Sequence, residues 1–364
     1  MVPDFHADWP RLLADIGGTN ARFALEHGAG RVGDAHTLAC ADYDHFDDAV
    51  RAYLNRLPAQ RVRHAVVAIA NPVDGDAVRM TNHHWAFSIE ASRTALNLDT
   101  LLVVNDFAAL AMALPALGPA DLDKIGGGDA VPTGVIGLVG AGTGLGVAGL
   151  VPVDGRWVAV QSEGGHVAFS PFDEREVAVL QHCWQRYEHV SAERIVSGPG
   201  IVLIREALAA HRGLQVDASL STADIVEHGL AGSDPLCRET LDCFSGMLGT
   251  VAANLAVTLC ARGGLYIGGG VVPRLGAYFA GSPFRARFEN KGRFSAFTSQ
   301  IPTMVITASY PAMLGAAAIL SEHLADLAAS SATGRTVLPA RVPLPLPPPL
   351  APSPLETEND HARF

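Results

Sequence analysis

Two short runs in this chain combine glycine with a hydroxyl side chain in a way suited to holding phosphate. In ADIGGTNARFAL an aspartate, Asp15, closes an apolar run and is followed by Gly17, Gly18 and Thr19. With no Cβ atoms in the way, the backbone N–H groups of such a turn can close on phosphate oxygens. Ala14, Asp15, Ile16, Gly17, Gly18 and Thr19 are therefore candidates for a nucleotide-phosphate site, with the Asp15 carboxylate free to organise Mg2+ through its waters. In GAGTGLGVA, Gly142, Thr143 and Gly144 make a second such turn, its threonine suited to a terminal phosphate through hydroxyl and backbone. Neither run is the G-x-x-x-x-G-K-[ST] loop or the helix-opening G-x-G-x-x-G of dinucleotide folds. Taken singly, each is also an ordinary tight hairpin.

The elements that must position these turns read as alternating strands and helices. LLADIGGTNARFAL and IGLVGAGTGLGVAGL are both strand, Gly/Thr turn, strand, with Thr19 and Thr143 separated by 124 positions, as if one hairpin recurs in two related halves. The uncharged stretch from Ala130 to Val153 is long enough to cross a bilayer, but its seven glycines punctuate it as a buried β-hairpin. RHAVVAIANPV and TLLVVNDFAALAMAL read as buried strands, the second running into a helix at Asn105 or Asp106. Further helices are expected around Arg175–Tyr187 and Asp234–Ala261, followed by the strand GGLYIGGGVV. This alternation is that of an α/β fold.

A chain of 364 residues exceeds one ordinary core and is expected to divide in two with a cleft between. The expected division is a small α/β domain over 1–116, completed by about 306–327, a large α/β domain over 117–305, and a Pro- and Ser-rich tail over 328–364. Hydrophobic residues make up 49% and charged ones only 17%, so most segments should be buried. The net charge of -11 offers no general field for nucleic acid or an anionic membrane, so no partner of either kind is expected and an anionic ligand must be held by particular loops. Five cysteines with no C-x-x-C pair, and an N-terminal MVPDFHADWP without an apolar core, fit a cytoplasmic protein.

With ADIGGTNARFAL, MTNHHWAFS, NDFAALAMAL, GAGTGLGVA, EGGHVAFSP, HVSAERIVSGPG, IGGGVVPRL and NKGRF in this order, the chain closely resembles the bacterial glucokinase family from about Leu12 to Leu320. The resemblance implies two ribonuclease-H-like domains, as in actin-like ATPases, flanking a central cleft. It implies ATP as co-substrate with Mg2+, glucose as acceptor, and a homodimer. It makes Asp106 the general base for the sugar 6-hydroxyl and assigns Asn105, Glu163, His166 and Glu193, with Asp106, to the sugar. Carboxylates, an amide and an imidazole can each exchange hydrogen bonds with neighbouring hydroxyls of a pyranose. It places Gly268, Gly269 and Gly270 on the adenosine side. One departure is Ala14, where the family commonly has glycine; the added methyl should leave the turn intact. Singly, Asp106 could cap the following helix, Glu193 could pair with Arg194, His166 could be a core histidine and Glu163 a polar loop residue. A helix N-terminus would hold Asp106 ionised and leave it a weak base whose position matters more than its pKa.

Two other functions fit parts of this pattern. One is a hexose kinase of the repressor/open-reading-frame/kinase group with another sugar substrate; such proteins usually add a zinc cluster of His and closely spaced Cys, and here Cys183 stands alone after His166. The other is a catalytically silent sugar-binding regulator, which would be expected to have lost Asp106 or a phosphate turn and, to bind DNA, would need more than the eleven residues before the first strand.

Overall fold

The computed structural model describes residues 9–333, apart from 59–60, 82, 216 and 218. The order of elements is β1 (Arg11–Ile16), β2 (Asn20–Glu26), β3 (Val32–Ala39), α1 (Phe46–Leu54), β4 (His64–Ile69), β5 (Ala77–Arg79), β6 (Ala86–Ser88), α2 (Ile89–Ala95), β7 (Thr100–Asn105) and α3 (Asp106–Ala113). Then come β8 (Leu122–Gly126), β9 (Ile136–Ala141), β10 (Leu145–Val153), β11 (Arg156–Ser162), α4 (Glu174–Trp184), α5 (Ala192–Ile195), α6 (Gly198–His211), α7 (Thr222–Ala231) and α8 (Pro235–Leu259). The chain continues through β12 (Gly264–Gly268), α9 (Val272–Leu275), α10 (Ala277–Ala280), α11 (Phe284–Glu289), α12 (Ser295–Gln300), β13 (Thr303–Ile306) and α13 (Pro311–Thr333).

Among the described residues two large sheets, beside the small β5–β6 ribbon, carry the molecule, and they are wired alike. The first has the order β3-β2-β1-β4-β7, an antiparallel meander that passes into parallel pairs at β1–β4 and β4–β7. The second has the order β11-β10-β9-β12-β13-β8, again a meander followed by parallel pairs at β9–β12 and β12–β13, with β8 added antiparallel at the edge. The two Gly/Thr hairpins seen in the sequence are β1–β2 and β9–β10, in corresponding places of the two sheets. Among the described residues they are the turns that open each meander.

Side-chain alternation along β1 and β4 sends successive residues to opposite faces. Leu12, Ala14 and Ile16 pack with Phe46, Val50 and Tyr53 of α1, whereas Leu13, Val66 and Ala68 pack with Met313, Ala317 and Leu320 of α13. The second sheet is covered on one face by α4, α6 and α8, and on the other by Leu110 and Ala111 of α3 and by Leu114 just after it. Fully burying one leucine contributes about 1.5–3 kcal/mol. α3 also packs on α13, where Gly315 lies so close to the Ala109 carbonyl that a Cβ would overlap it. One helix is thus wedged between both sheets, and Asp106 stands at its start.

The glycines of β9 and β10 explain why that hairpin reads as apolar yet punctuated. Gly140 pairs with Gly146 and Gly137 with Gly149. The first pair makes room for the Phe107 ring; at the second pair, a Cβ on Gly137 or Gly149 would press on Leu255 or Leu259 of α8. Within the Ala130–Val153 stretch, β9 and β10 form a largely buried hairpin from Ile136 onward, while 130–135 lead into it outside any strand. Among the described residues two helices, α8 and α13, are long and apolar enough to span a bilayer by length and composition; in α8, 72% of the apolar window is buried in the protein, as befits a core helix, and in α13 33%.

One expected boundary is corrected. The change of character placed at Ala328 falls inside α13, which runs on to Thr333. Ala, Leu and Ser in that stretch are compatible with helix. The rest of the expected tail, 334–364, lies outside the described residues.

Candidate active site

β1 ends at Ile16, and Gly17 to Thr19 turn the chain into β2, with the Gly17 N–H donating to the Asn20 carbonyl at 3.0 Å. Thr19 is exposed at the tip. Ala14 and Ile16 are fully buried, so only their backbone can serve a ligand. The methyl of Ala14 disturbs nothing, since β1 keeps an unbroken register with both β2 and β4. Asp15 points the other way and takes a hydrogen bond from Arg22 Nη1 at 3.2 Å. Burial pushes the Asp15 carboxyl above its ordinary value, and Arg22 pulls it part of the way back. Arg22 was not singled out from sequence, yet hairpin register gives it away: Asp15 and Arg22 are direct cross-strand partners.

The second turn has the same build. Gly142 N–H donates to the Gly144 carbonyl at 2.8 Å, leaving Thr143 exposed at the tip. Gly268, paired with Gly140 at the end of β12, leads into Gly269, whose φ of +81 and contact with the Ala141 backbone both exclude a side chain. Gly270 faces open space next to Gly142. The glycine exit and the second turn therefore lie side by side. Gly198, at the start of α6, donates to the Gly142 carbonyl at 2.8 Å and braces the turn from below.

β7 delivers Asn105 and α3 begins with Asp106. The helix cap is Asn105, whose Oδ1 accepts from Ala108 N–H at 3.0 Å, while its Nδ2 points to the Asn71 carbonyl at 3.4 Å. Asp106, released from capping, accepts the neighbouring Phe107 N–H on Oδ1 at 2.8 Å. Burial raises the Asp106 pKa to about 6, the Phe107 N–H works against that shift, and the negative charge of Asp15 adds to it. The expectation of a weak base is thereby corrected: desolvation outweighs the helix N-terminus, so the carboxylate is a better proton acceptor and still largely ionised at neutral pH.

Glu163, His166 and Glu193 form one cluster. Glu163 and His166 flank the tight Gly164–His166 turn after β11, held by the His166 N–H to Glu163 carbonyl bond of 3.0 Å. His166 Nε2 lies 3.7 Å from Glu163 and its Nδ1 lies 3.9 Å from Glu193. The turn is fastened to the segment before α5 by His189 Nε2 against the His166 carbonyl at 2.9 Å and by Ala192 N–H to the Val167 carbonyl at 2.8 Å. Ser191 caps α5, which carries Glu193. Glu193 does not pair with Arg194, whose guanidinium lies over the Tyr187 ring; its Oε2 takes the Leu145 N–H at 2.9 Å, at the foot of the second turn. His166 is half exposed and is no core histidine. His189 and Gly165, where a Cβ would overlap the Leu145 carbonyl, lie within the motifs HVSAERIVSGPG and EGGHVAFSP, but their part in joining segments far apart in the chain is visible only in the fold.

A profile of the glucokinase family matches residues 12–323. The chain belongs to the glucokinase family. It is 53% identical over 326 residues to a glucokinase of Neisseria meningitidis serogroup C, covering 90% of this chain and 99% of that one. It is 60% identical over 321 residues to the protein called bifunctional protein glk of Burkholderia pseudomallei, covering 88% of this chain and 50% of that one, so this chain spans about half the length of that relative. Among solved structures, a glucokinase from an Antarctic psychrotroph superposes with a TM-score of 0.78 at 36% identity, covering 86% of this chain and 99% of that one. The mixed α/β fold with two similarly ordered sheets is accordingly a glucokinase-family fold.

Proposed function

We propose that this chain is an ATP-dependent glucokinase that forms glucose 6-phosphate and ADP from glucose and ATP, the opening step of glycolysis. The observation that carries the reading is the place of Asp106: a partly buried carboxylate beside Asp15 of the first phosphate turn, with the next residue seated against the strands of the second. In this reading the two sheets are a small and a large ribonuclease-H-like domain divided near 117, with α13 returning to the small one, and the site lies in the cleft between them.

Backbone N–H groups of Gly17–Thr19 and Gly142–Gly144 would hold the phosphates, and Gly268–Gly270 would leave room for the adenosine. Glu163, His166, Glu193 and Asn105 would hold the sugar hydroxyls. The 6-oxygen bonds to the γ-phosphorus as the bond from that phosphorus to the β,γ-bridging oxygen breaks. The hydroxyl proton passes to the Asp106 carboxylate, and ADP leaves with the bridging oxygen. Among the described residues no three His, Cys, Asp or Glu side chains converge into a metal cage. Mg2+ keeps water and phosphate oxygens in its shell and needs few protein ligands, so Asp15, although it also takes a hydrogen bond from Arg22, is the residue that would hold it. When bound, that ion would supply positive charge against the charge developing on the transferring phosphoryl group.

The five unpaired cysteines, four of them buried, support a reducing cytoplasm, and the homodimer belongs to the same reading. The test is formation of glucose 6-phosphate by the purified full chain, with ATP or polyphosphate as donor and glucose, mannose or glucosamine as acceptor, in the presence and absence of Mg2+. Preference for another hexose would favour the neighbouring kinase group. No turnover with any pair would favour a silent sugar-binding regulator, and light scattering reads the assembly.

A further inference from the structure

Phe107 directly follows the proton acceptor and has a seat of its own. Its ring lies across Gly140 at the end of β9 and Gly146 at the start of β10, two glycines that face each other across the strands. A methyl group built on Gly140 would come to 2.7 Å from the ring tip, and one built on Gly146 would overlap the ring outright. The pair lies just below the Gly142–Gly144 turn. At its other end, Phe107 is fixed to Asp106, whose Oδ1 takes the Phe107 N–H at 2.8 Å. Behind the ring, α3 packs on the same sheet through Leu110 and Ala111, followed by Leu114 just past the helix.

We infer that Phe107 is a positioning residue of the transfer reaction: the ring, seated on the Gly140–Gly146 pair, sets how far the Asp106 carboxylate stands from the Gly142–Gly144 turn. The inference rests on the proposed kinase activity and adds to it the part that joins the acceptor side of the site to the donor side. Asp106 belongs to an element that continues the first sheet, whereas the turn belongs to the second. An aromatic ring is stiff, and two facing glycines remove the side chains that would hold it off. In-line transfer depends steeply on alignment, and a displacement of about 1 Å costs about 10²-fold in rate.

The test compares Phe107→Ala, Phe107→Leu, Gly146→Ala and the double variant Phe107→Ala/Gly146→Ala with the wild-type chain. Turnover is measured by coupled detection of glucose 6-phosphate, glucose affinity by calorimetry, and folding by circular dichroism and melting. Phe107→Ala should lower kcat by about 10²-fold and leave the glucose dissociation constant within about threefold of wild type. Phe107→Leu, which retains most of the apolar volume, should recover part of the loss and keeps the test decisive should the alanine variant fold poorly. Gly146→Ala should lower kcat similarly by unseating the ring. In the double variant the methyl occupies space the ring has left, so its loss should be no greater than that of the worse single change; effects of non-interacting sites would instead multiply. Wild-type kcat in Phe107→Ala, a loss confined to glucose affinity, or multiplying losses in the double variant would overturn the inference and leave the proposed function standing. An inactive wild-type chain would refute the proposed function and take this inference with it.

Discussion

The Glu193 carboxylate, assigned to the sugar, accepts a hydrogen bond from the Leu145 N–H at 2.9 Å and presses against Gly144, where a Cβ would overlap its Oε2. In the proposed reading, the sugar cluster and the second phosphate turn therefore share one side chain. Changes in the turn should be felt by the sugar even in the absence of nucleotide.

Gly144→Ala should displace Glu193 and weaken glucose binding by about 10-fold or more, since hydrogen bonds to charged groups contribute about 1.5–3 kcal/mol. Glu193→Gln, which keeps an acceptor for Leu145 but removes the charge, should weaken glucose binding while leaving the turn intact. Calorimetry with glucose alone reads both. A Gly144→Ala protein with a defect only in the KM for ATP would show that the turn does not hold the carboxylate.

The contact between α3 and α13 gives a prediction about stability. Gly315 is packed against the Ala109 carbonyl with no space for a methyl group, so Gly315→Ala must part the two helices or shift them. Overpacking of this kind costs about 1–3 kcal/mol. Urea unfolding should show a lower midpoint with an unchanged slope; an unchanged midpoint would mean that the helices separate without cost.

Much of this arrangement was legible in the chain because it is local. The two Gly/Thr hairpins, the strand running into α3 and the long α8 follow from periodicity and turn residues within a few positions of each other, and Arg22 could have been read from hairpin register. What stayed hidden depends on folding distant segments together. Nothing near Glu193 in sequence points to Leu145, forty-eight positions earlier. Nothing near Phe107 announces that Gly140 and Gly146 are its seat, and the burial that lifts the Asp106 pKa is contributed by the assembled fold. The tail expected from Ala328 overlaps α13 because the short run Ala-Ala-Ser-Ser-Ala-Thr carries no apolar periodicity that would mark it as helix.

That corrected boundary can be checked. A chain ending at Thr333 should match the full chain in turnover and melting temperature, because the Pro-rich residues beyond it cannot build a core. A chain ending at Ala328 cuts into α13 just after Asp326, which pairs with Arg156 at 3.0 Å, and should melt earlier. A large loss on ending at Thr333 would mean that the distal segment docks on the body.

Asp106 ties activity and stability together with opposite signs. Its ordinary pKa of 3.8 is raised to about 6 in the folded protein. A folded state that binds the proton more tightly than the unfolded one gains stability from it below the unfolded value and loses that gain as pH rises through the folded one. Wild-type stability from this group is therefore fully present below about pH 4 and gone above about pH 6, where the buried charge is a burden. Activity runs the other way, since the acceptor must be unprotonated: kcat should fall about tenfold per unit as pH drops below about 6. Asp106→Asn keeps the size and removes both effects. Its kcat at pH 7.5 should be about 10²- to 10⁴-fold lower, with glucose binding much less affected because Asn105, Glu163, His166 and Glu193 remain. In the same preparation the melting temperature should exceed wild type at pH 7.5, and the excess should shrink as pH is lowered from 6 to 4. Scanning calorimetry and a coupled assay read the two quantities side by side. Full turnover in the variant would remove Asp106 from the reaction, and a melting temperature below wild type at pH 7.5 would show that its carboxylate is stabilised in the folded state, contrary to its burial.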